Sequence, residues 1–238
     1  MSLMKQKRFP WLQILVHLLG WLPLAMLAYD ALAGRLSINP IQDIQQRLGR
    51  AAIYFLMAAL SITPLATLTG WRQLAPRRRA LGLYAFLYVC LHFVNYAFID
   101  YGLDWAEIGR QIVEKPFILV GMTAGLLMLP LAVTSFDYFM RRMGRKWKSL
   151  HRLVYVVGGI VVLHYAWAKK GDIFALRGEV LKPLIWGLVL ALLLVLRLPP
   201  VRRWAAAMRQ RLSSWRRHPL PAVPVPGPRG GAGPGQTS

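Results

Sequence analysis

The side chains with most chemistry to offer in this sequence are its five histidines, His17, His92, His151, His164 and His218. His218 lies in a basic tail and is expected to be solvated. The other four stand within or at the edge of long apolar runs, where an ionisable side chain is costly and marks a functional site by default. Neutral imidazole binds metal ions and takes axial positions on haem iron. His17 is alone in its run and is expected to be a hydrogen-bonded structural residue rather than a ligand. No run has an Asp or Glu in its interior. That argues against a carboxylate-built zinc site, a carboxylate-based proton pump or cation transporter, and a Ser-His-Asp hydrolase. A single cysteine, Cys90, rules out an internal disulfide, and its apolar surroundings disfavour the reactive thiolate. Without a C-x-x-C-H motif, covalent c-type haem attachment of that kind is also excluded.

A haem held between helices needs two axial donors at matching depth on different helices. His92 lies 13 residues beyond Arg79 and His164 lies 12 beyond Arg152, whereas His151 is only 3 beyond Lys148. At about 1.5 Å per residue, His92 and His164 share a depth and His151 sits roughly 20 Å nearer the basic end. The expected axial pair is therefore His92 with His164, and His151 either supports them or ligates a second haem. Around an ideal helix, His151 and His164 diverge by about 140°, so they share no face unless the helix is distorted. Gly158 and Gly159, between them, allow distortion, close helix approach or a porphyrin edge. Tyr84, Tyr88, Asn95 and Tyr96 recur at helical spacing around His92 as an inward polar-aromatic stripe, which ordinary interhelical hydrogen bonding would equally explain.

The elements that must position these residues follow from composition and charge. Hydrophobic residues form 56% of the chain and charged residues 16%, the latter below the roughly 25% of soluble domains. Thirty Lys and Arg against 9 Asp and Glu give a formal charge of +21. Such a balance suits a nucleic-acid binder, but here the bases fall between long apolar runs, so the partner is membrane lipid and no nucleic acid is expected. Six runs, at about 9–29, 48–70, 81–100, 117–136, 151–168 and 184–198, approach the length needed to cross hydrocarbon. They are continuous rather than alternating, which predicts an all-α six-helix transmembrane bundle and not a barrel. The N-terminus (1–8), the loops 71–80 and 137–150 and the tail from Arg197 hold 20 of the 30 Lys and Arg, and the alternate loops 30–47, 101–116 and 169–183 hold 8. The positive-inside rule then places both termini in the cytoplasm. Trp71 and Trp147 fall near inner ends and Trp105 and Trp167 near outer ends, as interfacial belts do, and Lys169 and Lys170 can snorkel.

Beyond the last run, 199–218 reads as a basic amphipathic segment lying on anionic lipid, and 219–238 as a disordered Pro/Gly-rich tail. Gly231, Gly233 and Gly235 have no strand before them and no helix after, so they make no nucleotide loop. Ala31-Leu32-Ala33 has the form of a signal-peptidase site, but the apolar run before it is too long for a signal h-region and no cleavage is expected. No internal repeat is evident.

Particular stretches carry a resemblance. They are Ile62-Thr63-Pro64-Leu65, Arg79-Ala80-Leu81-Gly82-Leu83 through Tyr88 and His92, Lys115-Pro116-Phe117, and Trp147-Lys148-Ser149-Leu150-His151-Arg152-Leu153-Val154-Tyr155 ending at His164-Tyr165. Over about residues 9–200 the chain resembles the ferric reductase-like transmembrane family, and closely its bacterial branch, the haem-binding subunits of periplasmic protein-methionine-sulfoxide reductase systems. The resemblance implies an inner-membrane b-type cytochrome with one or two haem b groups. Electrons would pass from quinol, or from a flavin reductase, to a periplasmic molybdopterin-containing catalytic subunit that reduces methionine sulfoxide in oxidised proteins. It also implies FMN, on resemblance alone. Eukaryotic relatives carry two histidines on each of two helices; this chain has one in its third run, so a second haem would need His17 or a non-histidine ligand. Arg77, Arg78, Arg79 and Arg152 set topology, and on this reading can also meet haem propionates or a flavin phosphate. No dinucleotide fingerprint follows the sixth run, consistent with electrons arriving from quinol or a separate flavoprotein. Two rivals stand beside this reading: a stand-alone ferric or metal reductase, and a non-redox membrane scaffold or transporter, which would be colourless.

Overall fold

The computed structural model describes residues 10–169 and 181–215. The expected cytoplasmic N-terminus (1–8), Lys170, most of the third outer loop, the last residues of the basic segment with His218, and the 219–238 tail lie outside the described residues.

Helix α1 runs from Pro10 to Leu32. Helix α2, Pro40–Thr69, starts eight residues before the predicted run because Asn39-Pro40 is a strong start signal: the Asn39 side chain accepts from the Gln42 N–H and proline opens the first turn. Gly70, at φ 76°, closes it in the left-handed conformation. Arg47 binds Asp30 at 2.5 Å and Asp43 at 3.0 Å, tying the end of α1 to the start of α2. Helix α3, Arg77–Val94, continues into a π-helical turn at Asn95–Asp100. The segment expected to be the second outer loop contains a short helix, α4 (Trp105–Glu114), because the Asp104 carboxylate caps the Ala106 and Glu107 N–H groups. Helix α5 is Pro116–Val133, and α6 (Asp137–Met143) and α7 (Arg145–Leu150) follow around Gly144. Helices α8, α9 and α10 are Leu153–Ala168, Leu181–Val195 and Pro199–Trp215.

Five segments are long and apolar enough to cross a membrane: α1, α2, α3 with its flanking turns, α5, and α7 through α8. The α9–α10 pair, bent by 74°, makes a sixth if counted as one span. No strand occurs among the described residues. The chain is a multi-pass helical membrane protein.

Helix α2 is the hub, packed on α3 and touching α1, α9 and α10, while α5 packs on α8 and α8 on α9. Tyr88, Ala85 and Val157 are wholly buried, and the Phe55 ring stacks on Tyr88 with centroids 5.4 Å apart. Gly20 lets α1 approach α3: its carbonyl accepts from the Tyr88 hydroxyl at 2.7 Å, and the Tyr84 ring occupies the place of a Cβ. Gly158 does the same for α8, since a Cβ there would lie 3.1 Å from Leu190 and 3.5 Å from Leu60. It serves helix packing, whereas Gly159 faces no atoms within 4 Å. At the end of α9, the Arg197 guanidinium donates to the Leu60 carbonyl at 2.5 Å and lies over the Tyr155 ring.

Candidate functional site

The two histidines paired by depth meet in space. His92 on α3 and His164 on α8 stand edge to face with ring centroids 6.4 Å apart. Each is oriented by a backbone carbonyl: His92 Nδ1 donates to Gln45 O at 2.9 Å, and His164 Nδ1 donates to Phe117 O at 2.7 Å. A carbonyl only accepts, so Nδ1 carries the hydrogen in both rings and Nε2 keeps its lone pair. This is the tautomer and the outer hydrogen bond that metal-ligating histidines use.

Glycines make the space for these rings. A Cβ on Gly49 of α2 would lie 3.2 Å from His92 Cε1, and one on Gly121 of α5 would lie 2.6 Å from His164 Cε1. Each glycine follows the accepting carbonyl by one helical turn. Gln45, Gly49 and His92 therefore form one triad and Phe117, Gly121 and His164 a second, every member displaced by 72 positions. The histidine-bearing hairpins α2–α3 and α5–α8 repeat the same local device. That corrects the expectation of no repeat, which failed because a carbonyl and a missing side chain leave little trace in residue identity.

Gln45 adds a polar contact. Its Oε1 accepts from Asn95 Nδ2 at 2.8 Å, which turns its amide nitrogen toward His92 Nε2 at 3.3 Å. Asn95, buried, also donates to Ile41 O at 3.2 Å. Part of the polar stripe foreseen around His92 thus serves this site.

His151 lies elsewhere. The chain turns between α7 and α8, so His151 precedes α8 and shares no straight helix with His164. Its ring stacks on Trp147 with centroids 4.1 Å apart. The Thr134 hydroxyl gives its hydrogen to Pro130 O and so accepts from His151 Nε2 at 3.1 Å. This is the opposite tautomer to the central pair. By the 72-residue displacement, the counterpart of His151 is Arg79, which is ion-paired with Asp137. The other foreseen arginines share that end of the bundle: Arg77 donates to Gln13, Arg78 approaches Thr63 Oγ1 at 3.4 Å, and Arg152 is exposed. Arg77, Arg78 and Arg79 lie roughly 20 Å along α3 from His92. They stand nearer the His151 end of the bundle than the central pair. His17 has two partners: Gln13 Nε2 donates to its Nε2 at 2.7 Å, and its Nδ1 donates to the Tyr84 hydroxyl at 2.9 Å.

The donor set fits a porphyrin better than a bare ion. No group of three His, Cys, Asp or Glu able to hold a metal occurs among the described residues, and haem brings its own equatorial nitrogens, leaving only axial positions to the protein. His92 and His164, with ring centroids 6.4 Å apart, are the residues that would hold such a group.

A multi-pass bundle with histidines facing each other from two of its helices defines a class, and residues 48–162 match the family described as ferric reductase like transmembrane component. Similarity to characterised relatives extends further along the chain. It is 41% identical over 177 residues to the protein-methionine-sulfoxide reductase heme-binding subunit MsrQ of Herminiimonas arsenicoxydans, covering 74% of this chain and 79% of the relative. It is 42% identical over 193 residues to the protein of the same name in Rhodospirillum rubrum, covering 80% and 89%. The Salmonella arizonae protein of that name is 35% identical over 199 residues, covering 83% and 96%. The chain belongs to the MsrQ family of ferric reductase-like membrane proteins.

Proposed function

We propose that this protein is the haem-carrying membrane subunit of a protein-methionine-sulfoxide reductase system, conducting electrons from the quinone pool to a periplasmic, molybdopterin-containing catalytic subunit. The observation that carries the reading is the His92–His164 pair, set face to edge with each Nδ1 hydrogen spent on a carbonyl. In this reading the two Nε2 atoms would hold a haem, and Gly49 and Gly121 keep the ring positions open. When bound, the haem supplies reversible one-electron chemistry. The chain's own work is to fix both imidazoles in the ligating tautomer, to surround them with apolar wall, and to hold them across two hairpins. Holding that group would cost His92 Nε2 its contact with the Gln45 amide, while Gln45 would keep its bond to Asn95. FMN rests on the family resemblance alone.

The reading places the protein in the bacterial inner membrane with both termini cytoplasmic, from the distribution of Lys and Arg. A reporter fused after Ser238 is then active as a cytoplasmic fusion; alkaline phosphatase activity there would overturn the orientation. The deciding measurement for function is a visible spectrum of the purified chain, oxidised and dithionite-reduced. A b-type spectrum supports it, and a colourless, well-folded sample that takes up no haem refutes it.

The role of His151 has its own test. Its Nε2 hydrogen is held by Thr134 and its ring by Trp147, and its counterpart in the other hairpin is an arginine. His151→Ala is therefore expected to retain the haem of the central pair, measured as pyridine haemochrome per chain. Loss of all haem in that variant would show that His151 is needed for the central site.

A further inference from the structure

We infer that the groove between α1 and α3 is a binding site for the headgroup of an isoprenoid quinol. The inference rests on the electron-conducting reading above and gives it a point of entry. The groove, about 450 Å³, is lined by Gln13, His17, Arg79, Leu83, Tyr84 and Leu87, among others. His17 is exposed within an apolar span, and both of its ring nitrogens are paired. A hydroxyl hydrogen left without an acceptor in such a span is unfavourable unless a polar group in the lipid phase meets it. That selects a ligand which partitions into lipid yet carries hydrogen-bonding oxygens.

The polar end of the groove is built for such an oxygen. Arg77 only donates, so it turns Gln13 Oε1 toward itself and Gln13 Nε2 toward His17. His17 Nδ1 then donates to the Tyr84 hydroxyl. Having accepted that bond, the hydroxyl keeps its own hydrogen, for which no acceptor appears among the described residues. It can donate to a quinone carbonyl or quinol oxygen. Tyr84 itself is held by Gly20 and by the Phe55 ring, centroids 5.6 Å apart, so the donor is fixed in place. Leu83 and Leu87 give the ring of the ligand an apolar wall. From His17 the exposed apolar face of α1 continues past Ile14, Leu18, Trp21 and Leu22, against which a prenyl tail can lie.

The test uses the full chain in lipid nanodiscs and the fluorescent quinol analogue 2-heptyl-4-hydroxyquinoline N-oxide, whose emission is quenched on binding. Stoichiometric quenching is expected. Tyr84→Phe, which keeps the ring and its packing, should weaken binding about tenfold through loss of one hydrogen bond. Leu83→Trp, which fills the groove without touching a polar group, should abolish it. Tyr155→Phe, on α8, should leave it unchanged. No quenching by the wild type, or equal affinity in the Tyr84 and Leu83 variants, overturns the inference; equal affinity is also the result if an acyl chain merely fills the groove. Haem content measured on the same samples separates the two readings. A haem-loaded chain that does not bind the analogue sinks the groove and leaves the conduit standing. A haem-free chain whose binding weakens with Tyr84→Phe and is lost with Leu83→Trp supports the groove and sinks the conduit.

Discussion

Replacing either His92 or His164 with alanine is expected to abolish the Soret band of the purified protein, while circular dichroism keeps the helical content of the wild type. Each ring would supply one of the two protein bonds to iron in the proposed site, and no third His, Cys, Asp or Glu stands with them to substitute among the described residues. Neither ring is a pillar of the fold: the wholly buried side chains among the described residues belong to Tyr88, Ala85, Ala97 and Val157. Loss of pigment should therefore not bring loss of structure. A full-intensity band in both variants would remove the central pair as the haem site and leave the family relationship without a mechanism in this chain.

The second large effect concerns a residue that does no chemistry. Gly121→Ala puts a methyl group 2.6 Å from His164 Cε1 and 2.7 Å from Nδ1, closer than packed atoms sit. The ring must swing, and the bond from Nδ1 to Phe117 O is lost with the swing. Disturbing an outer hydrogen bond of a metal-bound histidine costs about 10–100-fold in affinity, so haem retention through purification should collapse with both ligands present. Gly49→Ala, where the nearest ring atom of His92 is 3.2 Å away, should lose less; Gly159→Ala, with nothing within 4 Å, should lose none. Haem titration of the three variants reads that order directly. If Gly121→Ala and Gly159→Ala retain haem equally, the cradle has no role in holding it.

Much of this arrangement is legible from residue types. The spans follow from apolar length, and the pairing of His92 with His164 follows from counting residues from the basic edges, because helical rise converts position into depth. The 140° between His151 and His164 predicts separate faces, and the two rings do have separate partners: Trp147 and Thr134 for His151, His92 and the Phe117 carbonyl for His164. The cradle itself was hidden. Glycine is common in membrane helices for packing reasons, and Gly158, singled out between two histidines, does only that, whereas Gly49 and Gly121 face the rings. Gln45 was out of view because it stands among polar residues before the apolar run, in turns that Asn39 and Pro40 start early. One partner of His17, Tyr84, lies on a different helix, 67 residues away, which periodicity within one segment cannot reveal.

The repeated triads also bear on how a bound macrocycle would sit. Protohaem differs along its rim only in the order of methyl and vinyl groups, and a half-turn that exchanges them leaves the iron and both imidazoles where they were. Two halves built alike, a carbonyl, a glycine one turn on and a histidine ring against it, would discriminate poorly between those seatings. Both orientational isomers should then coexist, visible as doubled haem-methyl resonances in the paramagnetic proton spectrum of the oxidised protein.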